Sequence, residues 1–340
     1  MASLTRFDNR DIVNDISKVT TSTWTGNTNE LTTVHTSSLQ AVLGSPTSSG
    51  AHFIDVYDKA TSDSTAEVQY SIAYGNKVGG GSKNFTNAAG ALGISPSRNI
   101  YSQYRQLVHG SETTNFNFTD YTPDDIYVIN INRSRYKHSL KPGSLNLVIG
   151  SLHLTDDSVT TSGSSIVTNA GRQYNIVSGS NGTRLGSNTV HVTDSGSYGF
   201  FYPDSGFIVL NPATLDATTG DGGIALATVT TTNNQSDNHQ KLANKINTGN
   251  SFIVDSEEKI SSTYYFARAR NHEYNYTTNP SFVDDSGNVL VNSMIDNPTV
   301  YITTVGMYND AGDLLAVAKL SQPVTKDFTK EALIRVKLDY

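Results

Sequence analysis

The chain has 340 residues, enough to bury a sizeable core and to form two domains or one large β domain with insertions. Only 36% of the residues are hydrophobic and 16% are charged, while Ser 39, Thr 40 and Asn 31 supply about a third of the chain. Zero Cys excludes disulfides, thiolate metal sites and a cysteine nucleophile, and a formal net charge of -7 argues against a general nucleic-acid binder, which needs a basic surface. Thr is β-branched, and Ser and Asn compete with helical hydrogen bonds, so this composition favours strands and turns. No window approaches the 18 consecutive apolar residues of a membrane span, and the N-terminus lacks an apolar signal core. The expectation is therefore a soluble chain with neither a nucleic-acid nor a membrane partner.

Residues 1–50 are polar and Thr-rich, with apolar residues that keep no steady period. Such a segment cannot build a core alone, and it reads as an extended arm that docks anchors such as Phe7 and Trp24 on another subunit. Alternating or apolar runs over 52–57 and 67–74 predict paired strands. A helix follows Ser95-Pro96, with Tyr101, Tyr104 and Val108 on one face and Gly110 as its stop.

Strands are predicted over 126–131 and 145–149, adjacent in one sheet around the Lys141-Pro142-Gly143-Ser144 turn. Short strands punctuate 155–195, and 198–210 reads as strand, Pro203-Asp204-Ser205-Gly206 turn and strand. Low-complexity residues 211–236 form the best boundary, before a helix over 237–247 carrying Leu242 and Ile246. Four denser strands follow, over 262–270, 299–308, 314–320 and 333–340. In the last, Ile334, Val336, Leu338 and Tyr340 form a face expected to be buried, opposite Arg335, Lys337 and Asp339. The fold class is thus mainly β, with β-sandwich-like domains, two short helices and an extended N-terminal arm. The domains are an arm over 1–50, a β-rich body over 51–236 and a C-terminal β domain over 237–340.

Chemistry-bearing motifs are sparse. The Gly-rich run 75–83 lacks the Gly-Lys-Ser/Thr of a phosphate loop, and the eight His residues show neither His-x-His nor His-Glu-x-x-His spacing. His153, Asp156 and Asp157 lie close in sequence but read as a turn. Gly-rich Ser sites sit in β-turn surroundings rather than on a strand-to-helix elbow. The run Tyr264-Tyr265-Phe266-Ala267-Arg268-Ala269-Arg270 interleaves aromatics with arginines, and on a strand Tyr264, Phe266, Arg268 and Arg270 share a face suited to packing, to a protein interface or to stacking on glycan rings. No catalytic residue, cofactor site or metal site is predicted, and the chain reads as non-enzymatic.

The run Tyr301-Ile302-Thr303-Thr304-Val305-Gly306-Met307-Tyr308-Asn309-Asp310, continued by 313–323 and closed by 326–340, resembles virion structural proteins of large contractile-tailed bacteriophages, notably those infecting cyanobacteria. Further matching stretches are 129–137 with 140–147, then 201–206 and 101–108. The resemblance covers most of the chain. It implies a building block present in several symmetric copies, made in the host cytoplasm and incorporated into the virion beside other virion proteins. The baseplate or tail is the leading location, with neck, collar or head as others. A host-recognition module that binds surface glycan is the alternative function, although the chain lacks the repeats of a fibre shaft.

Overall fold

The structure is a computed structural model and describes residues 4–36, 53–80, 96–119, 121–159, 165–185, 197–216, 223–226, 238–277 and 279–340. The described strands begin with β1 (Ile12–Ser22), β2 (Glu30–Leu31), β3 (His35–Thr36), β4 (Phe53–Tyr57), β5 (Val68–Asn76), β6 (Asp125–Ile131) and β7 (Ser139–Leu140). They continue with β8 (Asn146–Ile149), β9 (Leu152–Asp156), β10 (Ile166–Thr168), β11 (Gly171–Ser180), β12 (Thr183–Arg184), β13 (Gly199–Tyr202) and β14 (Phe207–Leu210). The C-terminal strands are β15 (Phe252–Ile253), β16 (Asp255–Ala269), β17 (Val300–Tyr308), β18 (Leu314–Lys326) and β19 (Ala332–Asp339). The helices are α1 (Pro96–His109), α2 (Pro212–Leu215), α3 (Asn238–Gly249) and α4 (Ser293–Asp296). The protein is mainly β, with large antiparallel sheets of the sandwich-like class expected from its composition.

Two compact units divide the chain: unit 1 comprises Met1–Lys18 and Lys259–Tyr340, and unit 2 comprises Val19–Glu258. The division differs from the one expected. The boundary placed at 236/237 falls instead within β16, because α3, Phe252 and Val254 are buried in the core of unit 2.

In unit 2 the strands follow the order β2-β15-β8-β9-β11-β13-β14-β6-β5-β4-β3, with β10 and β12 added on β11. β2 and β3 lie at opposite ends of this order, yet only Thr32, Thr33 and Val34 separate them. Four residue steps from Leu31 to His35 reach about 14 Å at most. The sheet must therefore curl until its two ends nearly meet. α3 sits in this curl, touching β8 toward one end and β4 and β5 toward the other, and it contributes Leu242, Ala243 and Ile246 to the core.

An aromatic triangle joins the two ends. Trp24 lies 5.1 Å from Phe252 of β15 and 5.9 Å from Tyr70 of β5, and Tyr70 lies 5.1 Å from Phe252, all between ring centroids. The indole N–H donates to the Phe252 carbonyl at 3.0 Å, so the polar handle of this buried ring is satisfied. Beside it, the Thr25 amide donates to the buried Gln69 side chain at 3.0 Å. Trp24 is only 2% exposed, so it is a core residue of its own chain and not an anchor on another subunit. The described part of the arm is likewise built into the chain's own sheets, with β1 beside β16 and β2 beside β15, while residues 37–50 lie outside the described residues.

Strands β13, β14 and β6 bury both faces. Ile129, Phe201, Ile208 and Leu210 face the interior of the curl, whereas Val128, Tyr202, Phe207 and Val209 meet α1 and the segment after it through Tyr101, Val108, Phe116 and Phe118. Burial on both faces explains why these strands read as unbroken apolar runs. The helix expected from the tyrosine spacing forms as Pro96–His109 with Tyr101 and Val108 buried; its expected cap, Ser95, lies outside the described residues. The expected adjacency of 126–131 and 145–149 is corrected. β6 pairs with β5 over seven residues and with β14 over four, and β8 pairs with β9 and β15. Between them the chain makes a turn at Arg133–Arg135 and sends β7 to β16, so no hairpin joins the two strands.

Asp125, at the start of β6, accepts a hydrogen bond from the Tyr74 hydroxyl at 2.7 Å. Removal from water pushes its pKa up to about 6, against the lowering effect of the Tyr74 bond, and the charges of Asp124 and Asp216 add to the rise. The folded chain then holds this proton more tightly than the unfolded chain, so stability falls as pH rises from about 4 to about 6. Asp125→Asn removes the titration and keeps an oxygen for Tyr74. Its stability relative to the parent should rise by about 1–3 kcal/mol between pH 4 and 7 in denaturant titrations; a difference independent of pH would contradict this assignment. Trp24→Ala should cost unit 2 about 3–5 kcal/mol in the same measurement, as expected for emptying a buried aromatic site, and a loss below about 1 kcal/mol would mean that the triangle does not hold the sheet ends.

Candidate assembly interface

Unit 1 starts from the antiparallel pairing of β16 with β19, which runs from Ser262↔Asp339 to Ala269↔Ala332. Side chains alternate across a strand, so this register puts Tyr264, Phe266 and Arg268 on one face with Leu333, Arg335 and Lys337. Arg268, Leu333, Arg335 and Lys337 are exposed, and Tyr264 and Phe266 are half-buried. The Arg335 guanidinium lies 5.3 Å and the Lys337 ammonium 5.9 Å from the centre of the Tyr264 ring, both within cation–π range. Lys337 also pairs with Asp339 at 2.9 Å; that hydrogen bond raises the lysine pKa and lowers the carboxylate's.

The expected face is thus present, with one change of membership. Arg270 lies beyond the strand end, where its amide donates to Glu273 at 2.9 Å, so it does not continue the row. Arg335 and Lys337 take its place. Their contribution was readable as the polar side of the last strand, but their partner strand was not. Phe7 packs on Tyr265 of its own chain at 5.5 Å, on the opposite face of the same sheet.

That opposite face differs from expectation too. Val336 is buried and Ile334 and Leu338 are half-buried, but Tyr340 is 77% exposed, because it follows the end of β19. Among the described residues of unit 1, the buried apolar side chains are Ala269, Pro298, Met307, Ala332 and Val336 alone, and both apolar core clusters lie in unit 2. β17 and β18 form a hairpin of their own, with no further strand joined to it among the described residues. Large apolar groups on it face solvent: Tyr301 is 65% exposed and Leu315 68%, and Tyr308, Leu314 and Val317 are exposed as well.

The acidic turn after β9 is a brace. Asp156 accepts from the Gly143 amide at 2.9 Å and from the Ser158 amide at 3.1 Å, and burial raises its pKa despite these bonds. Asp157 accepts from the amide and side chain of Asn175, both at 2.9 Å, while His153 points to solvent. No group of three His, Asp or Glu suited to a metal ion occurs among the described residues, and no described helix is long and apolar enough to cross a membrane. Comparison with protein-family models, with curated proteins and with solved structures gave no match.

Proposed function

We propose that this chain is a non-enzymatic structural component of a tailed-phage virion, present in several copies and incorporated into the baseplate or tail through unit 1. The observation that carries the reading is the mismatch within that unit. About a hundred residues are ordered around five buried apolar side chains among the described residues, two of them alanines and one a proline, while tyrosines, leucines and valines on the hairpin remain in water. Ordering a backbone costs about 1–2 kcal/mol per residue, and a two-stranded hairpin is marginal without a surface to cover it. Contact with neighbouring subunits supplies the missing burial. The resemblance of the C-terminal residues to tailed-phage virion proteins supports the same reading, since 301–340 makes up much of unit 1.

The Tyr264, Phe266 and Arg268 face, with Arg335 and Lys337, is the proposed contact. Arginines and aromatics dominate interface energetics, and each can be worth about 2 kcal/mol or more when fully desolvated. Replacing Arg268 and Arg335 by Ala together should leave the isolated chain folded, because exposed charges contribute about 0–1 kcal/mol to stability. Intact particles should become scarce. Normal particle numbers with poor adsorption to host cells would replace assembly by host-surface glycan recognition as the function of this face, and normal numbers with normal adsorption would leave it no role in either.

A further inference from the structure

Lys326, the last residue of β18, is 0% exposed, and its ammonium meets neutral oxygens only. Nζ donates to the main-chain carbonyls of Asn271 at 2.9 Å and Asp327 at 3.0 Å, and to the side-chain oxygen of Asn275 at 2.6 Å. A buried ammonium without a counter-charge is a costly arrangement. The Asn275 carboxamide is buried with it, and its Nδ2 donates to the same Asn271 carbonyl at 2.6 Å. One backbone oxygen therefore holds an amine and an amide nitrogen side by side. A C=O bond is about 1.2 Å long, so Cγ of Asn275 lies within roughly 3.8 Å of Nζ. Reacting atoms in a near-attack arrangement stand about 3–3.5 Å apart. Tyr274, the residue before Asn275, has φ +54, a left-handed conformation that is costly for a bulky side chain and is kept only where the surroundings enforce it.

The geometry points to an intramolecular isopeptide bond between Lys326 and Asn275. Nζ attacks Cγ of Asn275, the new C–N bond forms, and the bond from Cγ to Nδ2 breaks. Two of the three ammonium protons pass to Nδ2, which leaves as an ammonium ion. The third remains as the N–H of the new secondary amide, within reach of the carbonyls that now hold the ammonium. No oxidant, reductant or cofactor enters the balance. The step removes a buried positive charge from the protein and replaces it by a neutral amide. It also ties the turn after β16 to the end of β18 across 51 residues, in the unit with the sparsest core and in a chain with no cysteine.

Intact-mass spectrometry of the purified full chain tests this. The protein should be lighter than its sequence by one ammonia, about 17 Da, and trypsin should release a branched peptide joining Asn275 to Lys326. The Asn275→Ala chain, weighed under denaturing conditions so that its folding is immaterial, should show its full sequence mass. A parent chain at full mass that trypsin cleaves after Lys326 would overturn the bond. So would the same loss in Asn275→Ala, because it would locate the ammonia loss at another asparagine.

Discussion

The aromatic triangle of Trp24, Tyr70 and Phe252 decides the form of unit 2, because it draws on both ends of a long antiparallel sheet. Tyr70 belongs to β5 and Phe252 to β15, which stand far apart in strand order, and Trp24 bridges them while donating its N–H to the Phe252 carbonyl. With the ends held together, α3 is enclosed and the inward faces of the strands gain a common interior. The outer faces of β13, β14 and β6 are then free for α1 and the phenylalanines that follow it. Two apolar layers on one set of strands supply burial that the polar composition of the whole chain would not suggest.

Burial in unit 1 is organised on another principle. Its strands carry apolar residues in number, but few are covered, and its most deeply placed large side chain is a lysine rather than a leucine. Polar contacts hold its parts: Lys326 on the 271–275 turn, the Tyr264 ring beside Arg335 and Lys337, and Thr263 with the Tyr340 hydroxyl at 2.8 Å. Such contacts fix geometry more than they add stability. On the proposed assembly reading, a unit built this way would keep its apolar groups for partners, and an amide link at Lys326 would hold the strands in place before a partner arrives.

Much of the β architecture was legible because local pattern and tertiary use agree. Apolar runs over β6, β13 and β14 announced strands, though not their burial on both faces, the tyrosine spacing announced α1, and alternation over 333–340 announced the two faces of β19. Trp24 was misread because it stands alone in a polar segment, and its partners lie 46 and 228 positions away, beyond the reach of any local period. The adjacency of β6 and β8 failed for a related reason: a turn signal says that the chain reverses, not which strand it rejoins. The Arg-bearing face of β16 was visible in sequence, but Arg335 and Lys337 joined it only through the antiparallel register. Lys326 gave no signal, since a lysine at a strand end ordinarily reads as solvated.

Hydrogen exchange of the isolated chain at high dilution measures the central claim directly, that unit 2 is stable by itself whereas unit 1 depends on neighbours. Amides in the ladders of β5, β6 and β14 should exchange only through global unfolding of unit 2. Those of β17 and β18 should exchange much faster, and should become protected when the chain is in its assembled state. Equal protection of both sets in the isolated, monomeric chain would contradict the account.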